Sequence, residues 1–522
     1  MTSTTNDTTT TRIRRPFALG TAAALLASVG LTGAATPAQA SSAARADSPL
    51  DGVTMPVPAT DVTETDADLA SATAEVVVIV DGKHGPEVRK LRAKSAAEAK
   101  KLAKYLDGQP GITAAPNHVL ALPATPTGSG KAKSATAVEL PKAAGVRVSA
   151  TPALAGEPYG EYQWGLVAVG AESAWAVTRG SGVKVAVVDT GVDASHPDLS
   201  GRTLTQINLT DDGQTRDPNG HGTHVAGIIA ASLDGSGVAG LANQVSILPV
   251  RVLDAAGYGD DATVAEGIIR AADAGAKVLN LSVGGAYSPV LAESVAYAVG
   301  RGATVVAAGG NEYQDGNPTT YPAALPGVIG VSSINSGGAS SWFANTGSYI
   351  DLTAPGEDIL STVPGADWSF ASGTSMAAPF VAASAALVRV ANPTMGKSAV
   401  DSTLTGTAVD DSSGDGRDNM FGYGLVRADK AALKAAQAPG GLRAVVSVSV
   451  AKAGYGNQLS VNVNPNQGSG CYTFTVQKRT STGTWSTQSG SYNTEGDGET
   501  RTLTLSPGTY RVVVAGKYGY KG

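Results

Sequence analysis

The run Val183-Lys184-Val185-Ala186-Val187-Val188-Asp189-Thr190-Gly191 decides the fold. A short, β-branched apolar stretch that stops at an acid and a glycine reads as a buried strand with a carboxylate at its carboxyl end. Similar apolar runs recur at Val245–Leu253, Val278–Leu281 and Ala303–Ala308. Helical patterns at Val225–Ala231, Thr263–Ala274 and Pro289–Val299 separate them. Strands alternating with helices predict an α/β fold with a mostly parallel sheet flanked by helices on both faces. In such sheets ligands bind beyond the carboxyl ends of the strands, where Asp189, Ser282 and Asn311 fall.

Three short motifs then stand in order: VVDTGVDASHPDL (187–199), GHGTHVAG (220–227) and SGTSMAAP (372–379). They supply an acid, a base and a hydroxyl, each set among small residues. A neutral serine hydroxyl attacks a carbonyl poorly unless a base within hydrogen-bond reach takes its proton. Of the five histidines, His84 and His118 lie in the N-terminal region, which leaves His196, His221 and His224. His221 and His224 are spaced to share a helix face, as zinc ligands do, although the glutamate of H-E-x-x-H and a third ligand are missing. Ser375 opens a helical stretch reaching about Val390, where unpaired N–H groups favour developing negative charge.

The order Asp189, His221, Ser375 distinguishes this chain from α/β-hydrolases and chymotrypsin-type enzymes. Over residues 158–437 it resembles the subtilisin-like serine proteases (subtilases). The resemblance implies a serine endopeptidase that acts through an acyl-enzyme on Ser375, with His221 as base and Asp189 fixing its tautomer. It implies Asn311 as the oxyanion donor. Substrate would lie as an added strand between Gly257-Tyr258-Gly259 and Ser282-Val283-Gly284-Gly285. Thr320 stands where family members often carry glycine, which implies a smaller primary pocket. Asp260 and Asp261 would face basic residues of the substrate, or would simply be solvated. No cofactor is needed for catalysis. A structural Ca²⁺ is expected at Asp198, although the neighbouring loop Leu233–Ala239 is one residue short of the family's.

The flanks extend the expectation. Arg12, Arg14 and Arg15, the apolar run from Phe17 and Ala38-Gln39-Ala40 read as an export signal over 1–40, which implies a secreted, extracellular protein. Residues 41–122 contain a strand (Glu75–Val80), a helical stretch (Pro86–Leu106) and a second apolar segment (Val119–Leu122). This unit resembles an inhibitory propeptide, so protein or peptide substrates and the chain's own propeptide are the expected partners of a monomer. Residues 123–157 read as a processing linker and 438–441 as a second linker. Residues 442–522 carry short alternating runs, the pattern of a small β-sandwich-like domain. The catalytic region holds 14 Lys and Arg against 27 Asp and Glu, which argues against nucleic acid as a partner. The last 85 residues hold 8 against 3 and include Tyr510, Tyr518 and Tyr520. Contact with a cell surface or polysaccharide through that domain is expected, and a catalytically silent surface-binding protein is the competing reading. A lone Cys471 excludes an internal disulfide.

Overall fold

The structure, a computed structural model, describes residues 74–124 (except 84), 151–409, 416–439 and 441, together with C-terminal segments 447–452, 458–464, 472–487, 492–493, 500–504 and 510–516. The export signal, most of the linker, Cys471, Tyr518 and Tyr520 lie outside the described residues.

Seven strands form the central sheet: β5 (Lys184–Asp189), β6 (Ile207–Asn208), β7 (Ser246–Arg251), β9 (Val278–Leu281), β10 (Thr304–Ala308), β11 (Val328–Ile334) and β12 (Ile350–Pro355). Their order is β12-β11-β10-β9-β5-β7-β6, and every pairing is parallel. The central strands β5, β9 and β10 are buried on both faces, which is why they read as continuous apolar runs rather than alternating ones. Helices α3 (Asp261–Asp273) and α4 (Pro289–Gly300) pack one face through Val264, Ile268, Leu291 and Val295. The other face receives α2 (His221–Ala230) and α5 (Thr374–Ala391). The latter is long and apolar enough to cross a membrane, but 89% of its apolar window is buried in the core. A helix apolar on all sides belongs there. Leu154 and Glu157 are also buried against this body, so packed structure begins upstream of the boundary read at 158.

The N-terminal unit differs from its sequence reading. Instead of one long helical stretch from Pro86, the chain turns at Lys83–Gly85 into a hairpin, β1 (Ala74–Gly82) with β2 (Gly85–Ala93), before α1 (Ala96–Asp107). Pro86 is tolerated because β2 is an edge strand. Helix α1 begins only where Ser95 caps it by accepting from the Glu98 N–H. Strand β3 (Ile112–Pro116) closes the sheet in the order β2-β1-β3. The segment expected to be the unit's second strand leaves it: β4 (Val119–Ala121) pairs instead with β8 (Tyr258–Asp260) of the large domain. Val77, Ile79 and Ala115 face α3 and α4, so the two bodies share one apolar cluster.

Past the hairpin β13 (Ile359–Val363) and β14 (Asp367–Ala371), the large domain ends with α6 (Lys397–Thr405) and α7 (Ala428–Gln437). Among the described residues of the C-terminal segment every strand pairing is antiparallel. β15 (Ser447–Lys452), β16 (Gln458–Asn464) and β20 (Thr500–Thr504) form one sheet; β17 (Tyr472–Arg479), β18 (Trp485–Thr487), β19 (Tyr492–Asn493) and β21 (Tyr510–Gly516) form another. Tyr510, counted in the sequence toward a surface contact, is half-buried against the core that contains Val476, with Lys478 over its ring.

Candidate active site

The carboxyl ends of β5, β9 and β10 and the amino ends of α2 and α5 meet above the sheet. Asp189 closes β5, is fully buried, and accepts from His221 Nδ1 at 2.8 Å and from the Thr190 N–H at 2.7 Å. His221 opens α2, its side chain 14% exposed. The helix comes this close because Gly222 has no side chain: a Cβ there would lie 2.0 Å from the Gly191 carbonyl oxygen. Burial disfavours the imidazolium, but the Asp189 charge and hydrogen bond, with Asp217 behind, outweigh it and raise the pKa above the ordinary histidine value. His224 differs. Burial pushes it down to about 4, and its Nε2 lies against the carbonyls of Ile359 and Ser369. That ring is committed to the β13–β14 hairpin. Among the described residues no three His, Cys, Asp or Glu side chains converge on a metal position, so the zinc arrangement does not form.

Ser375 is the second residue of α5, where no carbonyl one turn back can take its N–H. Pro379, four residues on, has no N–H for the Ser375 carbonyl. The Ser282 hydroxyl donates to that carbonyl instead, at 3.0 Å, and receives a hydrogen bond from Asn280 Nδ2 at 2.9 Å. The Ser375 hydroxyl itself donates to the Ser282 carbonyl at 3.4 Å. No hydrogen bond joins it to His221 among the described residues.

Asn311 follows β10. Its Oδ1 accepts from the Thr374 N–H (2.9 Å) and hydroxyl (2.8 Å), which aims Nδ2 outward. Nδ2 donates to the Ala124 carbonyl at 2.9 Å. The strand leading there is held on both sides. Leu120 pairs with Gly259, the Leu122 N–H donates to Gly257, and Ala121 exchanges two hydrogen bonds with Gly284. Gly285 pairs onward with Tyr321. Thr320 packs against Gly284: a Cβ there would meet its Cγ2 at 2.9 Å. Asn345, fully buried and missed from sequence, donates to Thr320 Oγ1 and to Glu312 Oε2, each at 3.1 Å. Glu312 Oε1 accepts from the Ala124 N–H at 3.0 Å.

Neither Asp260 nor Asp261 is simply solvated. Asp260 caps α3 through Thr263 and pairs with Lys90 at 2.6 Å. Asp261 is buried and pairs with His118 at 2.8 Å. Asp198 is also fully buried. One of its oxygens accepts from Val238 N–H and Trp368 Nε1–H, while the other has no partner among the described residues. Nearby, Glu157 Oε1 accepts from the Gly235 N–H and Oε2 has no partner among the described residues. Ca²⁺ takes six to eight oxygens, and two orphaned carboxylate oxygens beside loop amides that already point at these carboxylates do not make that set. These side chains alone supply two of the oxygens the ion takes.

Residues 180–424 match the profile of the subtilase family. The chain is 45% identical over 235 residues to "Thermophilic serine proteinase" of Bacillus sp. (strain AK1), covering 44% of this chain and 58% of that protein. It is 45% identical over 237 residues to "Thermitase" of Thermoactinomyces vulgaris, covering 44% of this chain and 84% of that protein. It is 40% identical over 256 residues to "Subtilisin E" of Bacillus subtilis (strain 168), covering 48% of this chain and 66% of that protein. With most of the thermitase chain matched and the acid, base and serine assembled at one sheet edge, the chain belongs to the subtilase family.

Proposed function

We propose that the chain is a secreted serine endopeptidase made as a self-processing zymogen, and that residues 117–124 occupy its cleft as the first substrate. One observation carries this reading: the Ala124 carbonyl lies on the Asn311 amide while the preceding strand is paired on both sides. A donor on that oxygen is what a tetrahedral intermediate requires. The bond assigned for processing is therefore Ala124–Thr125.

In the reaction, Ser375 Oγ turns from the Ser282 carbonyl, gives its proton to His221 Nε2 and attacks the carbonyl carbon. Asn311 Nδ2 holds the oxyanion. His221 then returns the proton to the departing amine, leaving an acyl-enzyme that water hydrolyses by the same relay. Asp189 keeps the ring oriented and stabilises the imidazolium. No step passes through a metal. Backbone pairing on both sides favours extended, unfolded protein as substrate. The Thr320–Asn345–Glu312 wall favours a small residue before the cut, such as Ala124.

The test compares purified precursor with its Ser375→Ala variant, followed by mass spectrometry and by hydrolysis of unfolded casein. Wild-type cleavage at Ala124–Thr125 with casein digestion, both absent in the variant, is the expected result. An intact, silent wild type across pH and calcium concentration would sink the proposal and favour the binding-protein reading.

A further inference from the structure

A second carboxylate lies behind the His221–Asp189 pair and takes no part in the steps above. Asp217, 4% exposed, sits four residues before His221. Its Oδ1 accepts from the Thr190 hydroxyl (2.8 Å) and from the Gly220 (2.8 Å) and Asn219 (3.2 Å) N–H groups. Its Oδ2 accepts from the Thr223 N–H (2.8 Å) and hydroxyl (2.6 Å).

The direction of these bonds favours the anion. The Thr190 hydroxyl already accepts from the Gly222 N–H, so its single hydrogen goes to Asp217. The Thr223 hydroxyl accepts from the Asp193 N–H, so its hydrogen also goes to Asp217. Three backbone donors complete the set. The three backbone N–H groups can only donate, so they favour the anion over a protonated carboxyl. Burial raises the Asp217 pKa above the ordinary carboxylate value and the donors oppose that rise in part; the three N–H groups, fixed by the backbone, match the anion.

Thr190 connects this anion to the catalytic pair. Its N–H donates to Asp189, its hydroxyl joins Asp217 to Gly222, and its carbonyl accepts from the fully buried Arg251. We propose that Asp217 is a positioning residue for the protease reaction: as a buried anion it clamps the helix end carrying His221 to the strand end carrying Asp189, and it adds a second negative charge behind the imidazolium. The inference rests on the serine-protease reading. The other charged or titratable groups around α2 are accounted for. Asp189 contacts the ring directly, and His224 faces the hairpin. Asp193 is held by Ser195 and the Gly365 N–H, Arg251 is paired with Asp212, and Asp198 and His196 lie at the turn packed on α2.

Three measurements test it. In Asp217→Asn the acid limb of kcat/KM should move down by about 0.5–1 pH unit, because the imidazolium loses a neighbouring charge. The kcat should fall roughly tenfold or more with KM within about twofold. NMR titration of the His221 ring in full-length Ser375→Ala, with and without Asp217→Asn, should show the same downward shift. Thr190→Val breaks the bridge while keeping the Asp217 charge. It should lower kcat about tenfold without moving the limb, and Thr190→Ser should restore it. A folded Asp217→Asn with an unmoved limb and unmoved His221 titration overturns the inference, as does wild-type kcat in Thr190→Val. If Asp217→Asn does not fold, the Thr190 pair decides. A wild type that neither digests casein nor takes a phosphonate label refutes the protease reading instead, while the NMR titration still judges Asp217.

Discussion

Replacing Ser282 with Ala should destabilise the protein through a carbonyl 93 residues away in sequence but adjacent in space, that of Ser375. Pro379 removes the helical donor this carbonyl would otherwise have, and Ser282 Oγ supplies the replacement at 3.0 Å. Ser375 is 3% exposed, so water cannot easily substitute. Leaving a buried acceptor unpaired costs about 1–3 kcal/mol. The Asn280 amide loses an acceptor as well. For a domain of this size the melting temperature should fall by about 2–10 °C. The assay is calorimetry in the Ser375→Ala background, which prevents self-digestion. A double-mutant cycle with Pro379→Ala gives the decisive number. Restoring the N–H at 379 gives the Ser375 carbonyl its own helical partner, so Ser282→Ala should then cost at least about 1 kcal/mol less. An unchanged cost in the Pro379→Ala background would refute the reasoning, because it would mean Ser282 stabilises something other than that carbonyl.

Other expectations follow from the same geometry. Because Asp189 raises the His221 pKa, the base is protonated and inactive below it, and kcat/KM should fall as pH drops through a value above 6.5. Asp189→Asn should move that limb down and cost roughly 10⁴-fold in kcat, while an unmoved limb would mean another group titrates. Thr320→Gly should raise kcat/KM for Phe over Ala before the cut by about tenfold or more, measured with paired peptide substrates. Its failure would place the size filter on Asn345. Adding the N-terminal unit in trans should inhibit the mature enzyme, and His118→Ala should weaken inhibition about two- to fivefold, since one member of the His118–Asp261 pair is partly exposed. An undiminished inhibition constant would show that apolar docking alone suffices. Burial raises the Glu157 pKa, with Asp234 and Asp198 adding repulsion. A carboxyl with a raised folded pKa favours folding as pH falls through that value and opposes it above. In metal-free buffer at pH 8, Glu157→Gln should therefore raise the melting temperature by roughly 1–3 °C. A fall would mean the ionised carboxylate contributes.

How much of this was legible depends on whether a feature is local. The strand ending on Asp189, the helix opening at His221 and the helix opening at Ser375 each announce themselves by composition and punctuation, and the structure places them as read. The N-terminal unit was misread where charged residues alternate. Gly85–Ala93 contains Glu87, Arg89, Lys90 and Arg92, a composition that suits an exposed helix face as well as an edge strand. Only the pairing with Ala74–Gly82 decides between them. Asn345 carried no signal, because an asparagine beyond a Trp-Phe pair looks like any turn residue until Thr320 and Glu312 arrive beside it from elsewhere in the chain.

Asp217 marks the limit most sharply. In sequence it is one acid in a polar loop, Asp-Asp-Gly-Gln-Thr-Arg-Asp-Pro-Asn-Gly, where Asp211, Asp212 and Asp217 are indistinguishable. Folding separates their roles. Asp212 meets Arg251, which holds its carboxyl down to about 2, whereas Asp217 turns inward to five donors. The difference comes from Gly220 and Thr223, whose N–H groups exist as free donors only because a helix begins there. A carboxylate placed at that point satisfies them and carries its charge to the rear of His221. One residue thus caps the helix and biases the base, so substitutions that keep the cap but not the charge are the ones that can tell the two effects apart.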